Sequence, residues 1–131
     1  MLPPDENAVV AAICKYLISS GYVITQQLTT IQRGIDVIAQ HPKTKVLVHV
    51  EAKGGISSRE GSPRDGKPYT HSQVFDRVAK GIFTCLQLRT NNPDKKSVRV
   101  ILAIPEGKWF RDYVGTVLPL LDSAGVEVWF A

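Results

Sequence analysis

Apolar residues along the chain switch between two spacings, and the switches mark out the elements. Val9, Val10, Ile13, Cys14 and Leu17 recur at helical spacing in a segment that opens at Pro4 and Asp5 and stops at Ser20-Gly21. Tyr22 to Gln27 reads as a first strand. Two alternating runs follow, with Ile35, Val37 and Ala39 in one and Val46, Val48, Val50 and Ala52 in the other. From Ser72 to Leu88 the period turns helical again, with Val74, Phe75, Val78, Ile82, Phe83 and Leu86 as the packed side and Gln73, Arg77, Lys80 and Thr84 as a polar stripe. That stripe lies along a phosphate backbone or beside the site, or is simply solvated, and solvation is the expected state of Thr84. Val98 to Ile104 is a near-continuous apolar run, as in a strand buried on both faces in mid-sheet. Lys108 to Ser123 forms a last helix, disturbed at Pro119, and Val126 to Phe130 a final strand. The order is α-β-β-β-α-β-α-β: an α/β fold in one domain spanning residues 1–131, with an antiparallel hairpin region joined to parallel crossovers and helices covering the sheet.

The two alternating runs constrain each other. If His41-Pro42-Lys43-Thr44 is a four-residue loop, Gln40 pairs with Lys45 and Asp36 lies opposite His49. The apolar members then share one face, and Asp36, His49, Glu51 and Lys53 share the other. A slip of one residue would expose the valines and bury the charges. On this register Glu51 is the diagonal neighbour of Asp36, about 7–8 Å away at the backbone, a gap that two side chains can close around one cation. Acid-x-Lys triplets also occur at Asp65/Lys67, Asp94/Lys96 and Glu106/Lys108, but these sit beside Gly, Pro or Asn in expected loops, without a partner carboxylate so placed. His49 is expected as a hydrogen-bonded sheet histidine. Glu6, at the N-terminal end of the first apolar stripe, is either a first-turn acid favoured by the helix dipole or a contributor to the metal site. Gly54 to Thr70, rich in Gly, Ser, Pro and charge, is a long loop that leaves the candidate strand and could fold over a substrate, or else a solvated insert.

Composition narrows the picture modestly. With 131 residues, 44% of them hydrophobic, the chain has enough material for one core, and its net charge of +4 suits a polyanionic partner. No segment approaches membrane-spanning length, and the N-terminal stretch has neither the basic region nor the apolar run of a signal peptide. Cys14 and Cys85 fall within predicted helices without CxxC spacing, and read as reduced core residues of a cytoplasmic protein.

With Asp36 followed by Glu51-Ala52-Lys53 in this element order, the chain resembles the PD-(D/E)xK nuclease superfamily, the restriction-endonuclease-like fold, over about residues 5 to 104. Its short length and early Glu make its layout most similar to archaeal Holliday-junction resolvases. Ile35 stands where the family name has Pro. The resemblance implies a restriction-endonuclease-like α-β-β-β-α-β core with a mixed sheet flanked by helices, plus a C-terminal helix and strand. It implies a Mg²⁺-dependent DNA endonuclease acting in repair, recombination or restriction-type defence, with Mn²⁺ able to substitute. Asp36 and Glu51 would bind the metal, Lys53 would position or activate water, Glu6 would be a further ligand, and Gln73 would stand near the site. A homodimer is implied as well. The residue types agree with that chemistry: Mg²⁺ takes oxygen ligands and usually only one or two carboxylates, and the Ala52 carbonyl could add another oxygen. Arg59, Arg64, Lys67, Arg77 and Lys80 are the expected phosphate contacts. Two alternatives stand beside this one: a catalytically inactive nucleic-acid-binding domain or subunit of a larger nuclease complex, and a structural protein whose charged strand face forms a buried salt-bridge network.

Overall fold

A computed structural model of the chain describes residues 2–57 and 66–131. The helix α1 (Glu6–Ser19) is capped by Asp5, whose Oδ1 accepts from Ala8 N at 2.8 Å. Strands β1 (Val23–Gln27), β2 (Val37–Gln40) and β3 (Leu47–Ala52) follow, then α2 (His71–Asn91) and β4 (Val98–Ile104). The last apolar stretch is two helices, α3 (Lys108–Gly115) and α4 (Leu118–Ala124), before β5 (Val126–Phe130). Pro119 lies in the first turn of α4, where its missing N–H costs nothing, so the expected disturbance is a complete break.

The strands form one five-stranded sheet in the order β1-β2-β3-β4-β5. The first three are antiparallel, whereas β3, β4 and β5 are parallel, joined by crossovers through α2 and through α3 and α4. Alternation divides the core in two. Val37, Ala39, Val48, Val50, Ala52, Ile101 and Ala103 pack under α1. Val98, Val100, Leu102 and Ile104 pack on the other face, under α2, α3 and α4. The interior placement of β4 accounts for its apolar run from Val100 to Ile104, since both faces are covered there and each such Val, Ile or Leu side chain contributes about 1.5–3 kcal/mol by leaving water.

The hairpin departs from its expected register. Gln40 pairs with Leu47, Ile38 with His49 and Val37 with Val50, a shift of two residues. The turn closes one residue later, between His41 N and Val46 O at 2.9 Å. Two local features hold it there: the His41 Nδ1 accepts from Lys43 N and Thr44 N, and Lys45 takes the left-handed conformation at φ 66°. A shift of two preserves the side-chain parity, so the apolar and charged faces are as expected. One step beyond Val37–Val50, Asp36 falls across from Glu51 instead of His49.

The face of α2 is the second correction. Val74, Val78, Gly81, Cys85 and Arg89 are its buried residues. Phe75, Phe83 and Leu86, expected in the core, are exposed, Phe83 to 63%, and line an open apolar groove of about 480 Å³ with Tyr113, Val117 and Leu120. Buried Arg89 donates to Asn92 O, Val98 O and Gly125 O at 2.8 to 3.2 Å, tying the end of α2 to the start of β4 and the turn before β5. The long connection after β3 is paired at its base, with Ser57 N donating to Lys67 O and Tyr69 N to Gly55 O. Both cysteines are buried and free, and no helix among the described residues is long and apolar enough to cross a membrane.

Candidate functional site

Where β3 ends, three elements deliver ionisable groups to one place. Asp36 sits on the bend before β2, and its backbone is held by Leu28 N, which donates to its carbonyl at 2.9 Å. Gln26 Nε2 fixes the preceding carbonyl, that of Ile35, at 2.7 Å. The Asp36 carboxylate then accepts from Ala52 N at 2.8 Å, so the strand backbone itself aims it. Glu51 faces α2, and the Asp36 carboxyl and the Thr84 hydroxyl both act on its carboxyl. Lys53 Nζ lies 3.9 Å from Glu51 Oε2.

Two glycines permit this convergence. At Gly54 a Cβ would stand 2.2 Å from the Glu6 nitrogen, so only glycine lets the end of β3 touch the first turn of α1. At Gly81 it would stand 2.7 Å from Leu102 Cδ1 and 3.4 Å from Lys53 Cγ, so the bare helix surface admits the lysine stem between α2 and the sheet.

Burial lifts the Glu51 carboxyl to about 8; its hydrogen bond and charge repulsion with Asp36 add to the rise, and Lys53 and Thr84 oppose it. Around neutrality the Glu51 carboxyl therefore keeps its proton, and the Lys53 contact becomes an ion pair only when that proton leaves. Glu6 is raised too, by burial first and then by Asp36, against Lys53 and Arg77. Burial pushes the neighbouring Cys85 thiol up to about 12, which leaves it neutral and a poor nucleophile.

The expected residues divide accordingly. Asp36, Glu51, Ala52 and Lys53 come together. Glu6 stands within electrostatic reach of Asp36 and Lys53, and among the described residues no group of three or more His, Cys, Asp or Glu is gathered as for a metal ion. The Gln73 side chain closes a capping box with Thr70, its Oε1 accepting from Thr70 N at 2.9 Å. Arg77 lies over the Tyr69 ring at 4.9 Å and acts on Glu6, while Lys80 and Lys67 are exposed. Arg59 and Arg64 lie outside the described residues. His49 is across from Ile38, and its buried Nδ1 has no hydrogen-bond partner among the described residues; burial, then Arg89, lowers its pKa.

Thr84, for which solvation was expected, instead acts on the Glu51 carboxyl. It was on the polar stripe with Gln73, Arg77 and Lys80, and the isolated mid-helix Gly81, three residues earlier, was the sign that this stripe meets the sheet.

No family model, no curated protein and no solved structure matches the chain.

Proposed function

We propose that the chain is a Mg²⁺-dependent DNA endonuclease with a restriction-endonuclease-like core of the PD-(D/E)xK kind. One observation carries the reading: two carboxyl groups, Asp36 and Glu51, stand across from each other and act on each other, with the Lys53 amine 3.9 Å from the second. Such a pair is costly to ionise fully, and a divalent cation in place of the Glu51 proton offsets that cost. The donors fit the ion, because Mg²⁺ usually takes one or two protein carboxylates and keeps several waters. The residues that would hold it are Asp36 and Glu51. Ala52 adds its carbonyl, which leaves the strand on the same side as the N–H bonded to Asp36. Bound there, the ion supplies a more acidic water and offsets charge on the scissile phosphate.

The chain's own groups do the rest. Asp36 is fixed by Ala52 N, Glu51 is oriented by Thr84, and Lys53 holds positive charge beside the attacking water, which adds to phosphorus as the P–O bond of the leaving strand breaks. Arg77, Lys80, Lys67, Arg59 and Arg64 are the proposed phosphate contacts, and a net charge of +4 favours that partner. A homodimer gives one site for each strand, and the exposed apolar face of α2 supports it. The proposed compartment is the cytoplasm, in keeping with two unpaired cysteines.

The test is cleavage of plasmid and of branched DNA in Mg²⁺, Mn²⁺ and EDTA. The wild type is expected to cut with either metal and not in EDTA, and Asp36→Ala and Lys53→Ala to lose about 10²-fold or more of the rate. Cutting that survives both substitutions removes the assignment. DNA binding without cutting in the wild type leaves a binding domain.

A further inference from the structure

At the end of the sheet where β3 and β4 finish, the end that also carries Glu51 and Lys53, is a shallow cleft of about 210 Å³. Its walls include Pro3, Gly55, Tyr69, Lys108 and Trp109. Gly55 follows Lys53 by two residues, and Tyr69 carries on its ring the Arg77 guanidinium that acts on Glu6. The cleft and the proposed site thus share one end of the sheet and the N-terminal half of α2. We propose that the cleft is a stacking pocket for one unpaired, unstacked base of the nucleic-acid strand whose phosphate lies at Asp36 and Glu51; this rests on the nuclease reading.

Three observations select that occupant. The first is Trp109, which remains 43% exposed at the rim although it is the largest apolar side chain there. Its ring is not loose: it stacks on His71 at 4.6 Å and 22°, and His71 Nε2 is hydrogen-bonded to the Tyr113 hydroxyl at 2.8 Å. A rigid, half-exposed indole is a platform prepared before binding, which saves the ordering cost of the contact.

The second is charge. Lys108 is paired with Asp112 at 2.6 Å, and Glu106, also on the wall, with Arg111 at 2.7 Å. With both ionic groups already partnered, the cleft suits an uncharged planar ring better than a phosphate. The third is size. The volume falls below the roughly 300–1,000 Å³ of sites for drug-sized ligands, and so suits a single ring system. A base inside a duplex is stacked on both sides and cannot enter without being extruded, at a cost of a few kcal/mol. The cleft thus favours ends, flaps and branch points over continuous duplex.

The experiment titrates the whole chain with fluorescein-labelled short single strands of DNA and of RNA, and with a blunt duplex. Anisotropy is read in EDTA and again in Ca²⁺. Trp109→Ala is expected to bind single strands about 5- to 150-fold more weakly, the effect of losing one base stack, with the duplex affinity and the salt slope unchanged. Trp109→Phe, which keeps a ring, recovers most of the loss. Trp fluorescence in a Trp129→Phe background reports on the native indole and is expected to be quenched by single strands. Unquenched fluorescence, or equal losses on single strand and duplex, overturns the pocket while leaving the nuclease reading in place. A wild type that binds no nucleic acid overturns the reading beneath it. A preference for the DNA or the RNA strand identifies the source of the base.

Discussion

Glu51 is the residue whose charge state folding has to decide. Its carboxyl titrates at about 8 in the folded chain, against an ordinary 4.5. Between those values the folded form holds a proton that the unfolded form has released, so stability falls as pH rises and this contribution is gone above about 8. Glu6, raised in the same direction, adds to the slope. His49, whose pKa is lowered from 6.5, acts oppositely and only below that value. Between about pH 6.5 and pH 9 without divalent cation, Tm is therefore expected to fall, and Asp36→Asn to make the fall shallower by removing the repulsion. Mn²⁺ should raise Tm most at the alkaline end, where it no longer displaces a proton. Melting curves followed by circular dichroism check all three, and a flat wild-type profile contradicts the protonated pair. Thr84→Val, which removes the hydroxyl that orients Glu51, is expected to weaken Mn²⁺ binding in calorimetry about 10- to 100-fold, with Thr84→Ser close to wild type. Equal affinities for all three would leave Thr84 without that task. That Asp36 and Glu51 share a face was legible because strand parity fixes faces whatever the turn does. Thr84 and Arg89 were not, because a polar residue on a helix stripe looks the same in sequence whether it meets water, a carboxyl or three carbonyls.

Among the elements, the contact between the end of β3 and the first turn of α1 is the least forgiving. Gly54→Ala puts a methyl 2.2 Å from the Glu6 nitrogen, which is backbone and cannot rotate away. An overpacking cost of about 1–3 kcal/mol is expected in denaturant unfolding, with activity lost faster than stability because Glu6 and Lys53 move apart. Full activity with unchanged stability would show that the two elements separate freely. Element order and strand direction were readable from period alone, and Pro119 marked the break between α3 and α4. The hairpin register was not, since it depends on the His41 ring accepting two backbone N–H groups and on Lys45 taking a left-handed turn, both decided by local geometry. The outer face of α2 misled for another reason: Phe75 and Phe83 carry the period of a packed helix, and apolar residues awaiting a partner have the same spacing as those already buried.

For the molecule as a whole, that uncovered face is the feature to test. Phe83→Glu places a charge in the groove lined by Tyr113 and Leu120, and is expected to convert a self-associating wild type to monomer in light-scattering chromatography, without loss of fold. A wild type already monomeric at working concentration would remove the homodimer from the proposal. The sheet also has two unlike ends. At one, Asp36, Glu51 and Lys53 crowd together, with the Glu51 carboxyl pushed up to about 8. At the other, Arg89 fastens three chain segments through their carbonyls. Amide exchange should accordingly be slowest around the guanidinium and quickest beside the acids, so that the molecule loosens from its acidic edge first while its anchored edge still preserves the memory of the fold.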